Sequence, residues 1–139
     1  MTVSLKGRYL TSLQDLSREE LRQVLQGAAS LKQRYHMGEE ISLLRQKTLA
    51  MVFQKPSLRT RMSFEAGMSR YGGHAIYLGP ADIQLGKRES TPDIARNLDR
   101  FADVIMARVF DHQDVVDLAK YSSVPVINGL SDRFHPCQV

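Results

Sequence analysis

Cysteine is nearly absent from this 139-residue chain. The one present, Cys137, excludes an intrachain disulfide framework and makes a zinc site built on cysteines implausible, and a reducing compartment fits that usage. Long apolar runs are missing as well. No stretch approaches the roughly 20 residues that a membrane span needs, so no membrane partner is expected. Aromatic residues make up only 7% of the chain. The net charge of +4 and pI near 9.4 raise the question of a polyanionic partner. Dispersed cations with so few aromatics argue against nucleic acid and for a small phosphorylated ligand. The N-terminus, Met1-Thr-Val-Ser-Leu-Lys-Gly-Arg8, lacks both the apolar core of a secretory signal and the long Arg/Ser-rich character of a transit peptide. A cytoplasmic protein is the expectation.

What is present is an ordinary globular composition, 42% hydrophobic and 24% charged, at a length suited to one domain. Ser17-Arg-Glu-Glu20 reads as a capping box. Behind it Leu21, Val24, Leu25, Ala28, Leu31 and Tyr35 recur at helical spacing, which predicts an amphipathic helix ending near Gly38. Four short apolar runs predict buried strands over Thr48–Phe53, His74–Leu78, Asp103–Ala107 and Val124–Ile127. Helices are expected between them over Ser57–Tyr71, Pro92–Phe101 and His112–Tyr121. Such alternation predicts an α/β fold, a doubly wound parallel sheet of about four strands flanked by helices. Gly79–Ser90 reads as a long polar loop of the kind that often serves as a lid or contact.

The most informative segment is Lys55-Pro-Ser-Leu-Arg-Thr-Arg61. It follows a predicted strand and starts a predicted helix, so unpaired backbone N–H groups and the positive end of the helix dipole converge on one spot. Ser57 and Thr60 add hydroxyls there, and Arg59 and Arg61 add guanidinium forks that bind phosphate or carboxylate oxygens. The absence of glycine from the segment excludes a Walker P-loop. Arg108, expected just after the third strand, and the segment from Asn128 to Gln138, expected after the fourth, should converge on the same carboxyl edge of the sheet. A solvated basic helix start would look much the same as this cradle if Arg108 and His135 did not accompany it.

Ser57-Leu-Arg-Thr-Arg61, Gln84 within Ile83-Gln-Leu-Gly-Lys-Arg-Glu-Ser90, Met106-Ala-Arg108 and His135-Pro-Cys-Gln138 resemble, in order and spacing, the carbamoyl-phosphate half of the ornithine carbamoyltransferases. The resemblance covers essentially the whole chain. It implies a carbamoyl-phosphate-binding domain over residues 1–139 and no cofactor or metal. Ser57, Arg59 and Thr60, with the amide of Leu58, would hold the phosphate. Arg108, His135 and Gln138 would address the carbamoyl group, beside Pro136 and Cys137. Arg59, Arg108 and His135 would carry the catalysis, and Gln84 resembles the glutamine that reaches a neighbouring subunit's site. Leu58 stands where the family commonly has threonine.

The same resemblance implies an ornithine-binding second domain that this sequence does not contain, and a homotrimer or an assembly of trimers. The chain alone is therefore expected to bind its ligand weakly and turn over negligibly. An aspartate carbamoyltransferase shares the Ser-x-Arg-Thr-Arg and His-Pro-x-Gln elements. Gln84, Cys137 and Ala107-Arg-Val-Phe-Asp-His-Gln113 favour the ornithine enzyme, by resemblance only. Two other readings stay open on residues alone, a non-catalytic phosphate-binding or assembly module and a nucleic-acid binder resting on pI. A thiol-hydrolase reading of His135 and Cys137 lacks an orienting acid, and residues two apart do not face each other on a helix. His36, His74 and His112 lack the spaced partners of a metal site and are expected at the surface or in local hydrogen bonds.

Overall fold

The computed structural model describes residues 4–138. Its centre is a parallel sheet of β1 (Thr48–Phe53), β2 (His74–Leu78), β3 (Val104–Arg108) and β4 (Val126–Leu130), in the order β2-β1-β3-β4. Chain direction reverses across the sheet beside β1. The link from β1 runs outward to β2, and the next crosses back to β3. The carboxyl ends of β1 and β3 thus flank a topological switch point, where open α/β sheets form crevices.

Alternation along the strands divides the core. Leu49, Met51 and Phe53 face one way and pack with Met68, Met106 and Phe64, beneath helix α2 (Leu58–Arg70). Ala50, Val52, Ile105, Ala107 and Val126 face the other way, against Ile94 and Ala95 of α4 (Thr91–Leu98) and Val115 and Leu118 of α5 (His112–Tyr121). Both faces of β1 and β3 are therefore covered, which explains why these strands read as continuous apolar runs. Truncating Phe53, which is fully buried, would cost about 3–5 kcal/mol.

Helix α1 (Arg18–His36) begins at the expected capping box, with the Ser17 hydroxyl accepting from the Glu20 amide and the Glu20 carboxylate accepting from the Ser17 amide. It ends where Gly38 takes φ +75°, a conformation that glycine adopts without strain. Its apolar stripe stays largely in solvent: Val24, Leu25 and Tyr35 are exposed, and Glu20 is its buried residue. The expected amphipathic pattern is real, but no described element covers it.

Several boundaries move from their expected places, each for a local reason. The third strand starts at Val104 because Asp103 is occupied as a clamp, its carboxylate accepting from the Thr48 amide and Lys47 Nζ. It runs on to Arg108, which pairs with Phe53 and Leu130, so Arg108 closes the strand instead of following it. The fourth strand starts at Val126, after a Pro125 that has no N–H to give, and extends to Leu130. Helix α4 stops at Leu98, three residues short of the expected end, as Asp99 turns its carboxylate to the Ser122 hydroxyl and Ser123 amide. The loop over 79–90 is more ordered than its polarity suggests. It holds a short helix α3 (Pro80–Ile83) and a bridge between Leu85 and Glu89, and it is anchored by the buried Leu85.

Candidate functional site

Ser57 caps α2. Its hydroxyl accepts from the Thr60 amide at 3.4 Å and donates to Thr60 Oγ1 at 3.1 Å. The first amides of the helix, those of Leu58 and Arg59, have no carbonyl within the helix to bond. Proximity in sequence and the N-cap preference of serine are enough to build this wall.

The opposite wall depends on the sheet. Arg108 ends β3, and its Nη1 donates to Thr60 Oγ1 at 3.2 Å and to the Gly129 carbonyl at 3.4 Å. One guanidinium thereby links the α2 cradle to β4. The β3–β4 ladder slips at this point: Ala107 pairs with Asn128 and Arg108 with Leu130, leaving Gly129 as an extra residue. A β-bulge of this kind bends the strand and re-aims the chain beyond it. Gly129 is needed there because an added Cβ would collide with the Met106 side chain. Leu130, at φ +145°, lies in a region that L-residues rarely adopt. Its amide is held by Asn128 Oδ1 at 3.0 Å. Past the bulge the chain turns back over the sheet edge and brings up His135.

The result is a cleft of about 450 Å³ lined by Ser57, Arg59, Thr60, Ser63, Phe64, Arg108, Leu130, His135, Cys137 and Gln138. Among the described residues two cations and a histidine line it and no carboxylate does. Burial and the neighbouring Arg59 charge both press the Arg108 pKa below the usual arginine value. Burial, then the Arg108 charge, lowers that of His135 below 6.5. Arg108 Nε and His135 Nδ1 are buried without a hydrogen-bond partner. Leaving such groups unpaired costs about 1–3 kcal/mol each, more for a charged one. An anionic ligand with a further acceptor oxygen would offset that cost.

The structure brings together seven of the ten residues that sequence singled out: Ser57, Arg59, Thr60, Arg108, His135, Cys137 and Gln138. Leu58 opens the helix with its side chain 78% exposed, so only its backbone is placed to contribute. Pro136 is buried under the turn. Gln84 lies elsewhere, with a left-handed φ of +41° at the end of α3. It lines a neighbouring cleft of about 350 Å³ with Phe53, Gln54 and Phe110.

Arg61 does not join the cradle as expected. Its guanidinium sits 3.9 Å from the centre of the Tyr77 ring and pairs with Glu65 at 3.2 Å, because residues two apart on a helix point to different sides. Residues 135–138 form a turn and not a helix, so His135 and Cys137, though two apart, line the same cleft. Cys137 is still a poor nucleophile. Burial pushes its thiol pKa up, and its Sγ donates to the Asn128 carbonyl at 3.4 Å. Sequence reasoning missed Ser63, Phe64 and Leu130 as lining residues. Ser63 and Phe64 follow the cradle by one helical turn, which helical spacing could have flagged. Leu130 lies in the Asn128–Gln138 segment expected at this edge, but no local pattern marked it as a lining residue, and it follows the register shift at Gly129.

A profile described as "Aspartate/ornithine carbamoyltransferase, carbamoyl-P binding domain" matches residues 8–139. The chain is 59% identical over 138 residues to a protein named ornithine carbamoyltransferase from Pyrococcus abyssi, a match covering 99% of this chain and 44% of that protein. Its structure superposes on that of an ornithine carbamoyltransferase from Pyrococcus furiosus with a TM-score of 0.97 at 56% identity, over 99% of this chain and 44% of the other. A putative aspartate carbamoyltransferase from Trypanosoma cruzi is more distant in sequence, at 28% identity with a TM-score of 0.89, over 99% of this chain and 48% of that one. The chain thus spans less than half the length of these relatives. A cation-lined cleft at the switch point of a parallel sheet and a family match over nearly the whole sequence lead to one assignment: the chain belongs to the aspartate/ornithine carbamoyltransferase family, as its carbamoyl-P binding domain.

Proposed function

We propose that the cleft binds carbamoyl phosphate and that the chain is the donor-binding half of an enzyme that carbamoylates L-ornithine to L-citrulline. The observation that carries this reading is the pairing of a helix-start cradle with Arg108 and His135, each holding a buried nitrogen without a partner, in a cleft with no carboxylate among its described lining residues. The phosphate sits on the amides of Leu58 and Arg59, with the Ser57 and Thr60 hydroxyls and the Arg59 fork completing its shell. The carbonyl oxygen faces Arg108 and His135, and Gln138 reaches the carbamoyl amide.

A neutral amine attacks the carbonyl carbon, the carbonyl oxygen takes up negative charge, and the tetrahedral centre collapses with cleavage of the C–O bond. The amine's proton passes to the departing phosphate. Arg108 and His135 stabilise the oxyanion, and Arg59 stabilises the departing phosphate. Each such preorganised donor is worth about 3 kcal/mol in the transition state. Holding the amine in line supplies much of the remaining rate.

The acceptor's carboxylate and ammonium contacts fall to a second domain outside these 139 residues. In a trimer, Gln84 would extend from the 79–90 loop toward a neighbouring subunit's site. We place the protein in the cytoplasm; no helix among the described residues is long and apolar enough to cross a membrane. Calorimetry with carbamoyl phosphate, inorganic phosphate and an oligonucleotide tests the reading. Selective binding of carbamoyl phosphate is expected. Equal affinity for the two phosphates would reduce the site to a phosphate module, and steeply salt-dependent oligonucleotide binding would replace the reading altogether.

A further inference from the structure

His135 projects from a turn that is clamped by groups outside the cleft. At its base lie three buried polar side chains: Asn128, fully enclosed in β4, Ser131 just after it, and His112 at the start of α5. His112 reaches the turn at two points. Its amide donates to Asp132 Oδ1 at 2.8 Å, and its Nδ1 lies 2.9 Å from Ser131 Oγ. Its ring also meets Phe134 edge-on, with centroids 5.0 Å apart.

Donor and acceptor accounting favours one direction for the His112–Ser131 bond. Ser131 Oγ accepts from Asn128 Nδ2 at 3.1 Å and from the Phe134 amide at 3.3 Å, which occupies both lone pairs. One hydroxyl proton is left. Asn128 Nδ2 has two protons and three acceptors in reach; its shorter contacts, to the Thr11 carbonyl at 2.9 Å and Ser131 Oγ at 3.1 Å, take both, and the Phe134 carbonyl, 3.3 Å from Ser131 Oγ, accepts from the Ser131 amide at 3.0 Å. The shorter acceptor is His112 Nδ1, at 2.9 Å. With that direction a neutral imidazole carries its proton on Nε2, and among the described residues no polar side-chain atom at the base of the turn is buried without a partner.

We propose that His112 is a positioning residue for His135: by accepting the Ser131 hydroxyl proton on Nδ1 it locks the Ser131–Phe134 turn and so fixes where His135 enters the cleft. His112 does not line the cleft and touches no ligand there. It acts through Ser131 and Phe134, one residue from His135. Its sequence position, four residues after Arg108, means that the same β3–α5 segment supplies a side chain lining the cleft and the clamp on the turn that carries His135. The inference rests on the carbamoyl-phosphate reading only for its effect on affinity.

The test compares His112→Asn, whose Oδ1 can replace Nδ1 as acceptor, with His112→Phe, which keeps a ring against Phe134 but accepts nothing. Nitrogen chemical shifts of the His112 ring in the unaltered chain report the tautomer directly. An unprotonated Nδ1 is expected, and a protonated Nδ1 in the folded chain overturns the proposal. In His112→Phe the Ser131 and Phe134 amides should exchange about tenfold faster and carbamoyl phosphate should bind about five- to tenfold more weakly, with both restored to within twofold in His112→Asn. Unchanged exchange in His112→Phe overturns the proposal. If that variant does not fold, Ser131→Ala removes the other end of the same bond and must give the same two changes. Failure of the unaltered chain to bind carbamoyl phosphate would sink the reading of the cleft, while the tautomer and the exchange rates would still decide the role of His112.

Discussion

The two walls of the cleft are built in opposite ways. The α2 wall is local: Ser57 caps the helix, Thr60 lies one turn on, and its bonds span three residues. The β4 wall is assembled from distant parts. Asn128 reaches back to the Thr11 carbonyl, Ser131 to His112 and Arg108 to Thr60, over a bulge and a strained Leu130. A local wall forms whenever its helix does. A wall held by long-range bonds forms only when the whole sheet is in register, so damage there should spread further.

Arg108 belongs to both walls, and its removal should have the largest effect. Arg108→Met deletes a carbonyl donor and the link from Thr60 to Gly129 together, and should weaken carbamoyl phosphate binding about 100-fold by calorimetry. Asn128→Ala comes next. It leaves the Leu130 amide and the Thr11 carbonyl without their buried partner. Urea denaturation should show a loss of about 3 kcal/mol. The equivalent insult to the local wall, Ser57→Ala, should cost only about 1 kcal/mol of stability, the usual worth of an N-cap. Equal losses for the two variants would erase the contrast between the walls.

His135 adds a pH signature to the β4 wall. Its folded pKa lies below 6.5 because burial and Arg108 disfavour the imidazolium. Between that depressed value and 6.5 the unfolded chain binds more protons, so stability falls as the pH drops through this window and the penalty is absent above it. His135→Gln should flatten that part of a stability-versus-pH curve. The smallest effect belongs to Leu58→Thr. An exposed side chain on an amide-donating residue predicts a change in carbamoyl phosphate affinity below tenfold, and a larger change would assign the contact to the side chain.

Legibility in the sequence divides along the same line. The capping box of α1, the four apolar runs and the Ser57 cradle are short-range patterns, and the structure has them within a few residues. The start of β3 shifted because Asp103 binds Thr48 and Lys47 at the start of a neighbouring strand, which no short window contains, whereas the start of β4 shifted through the missing N–H of Pro125, a signal that the apolar run masked. Arg61 was misread as a cradle group because a run of adjacent basic residues ignores helical direction, whereas Tyr77 and Glu65 hold it away. The bulge at Gly129 and the buried bonds of His112 had no local signal at all.

If one ligand spans both walls, a crystal structure of the chain with carbamoyl phosphate shows it most directly. The phosphate should lie on the Leu58 and Arg59 amides, with the carbonyl oxygen within hydrogen-bond distance of Arg108 and His135. A phosphate seated elsewhere, or a carbonyl turned away from Arg108 and His135, would contradict a site shared between the walls.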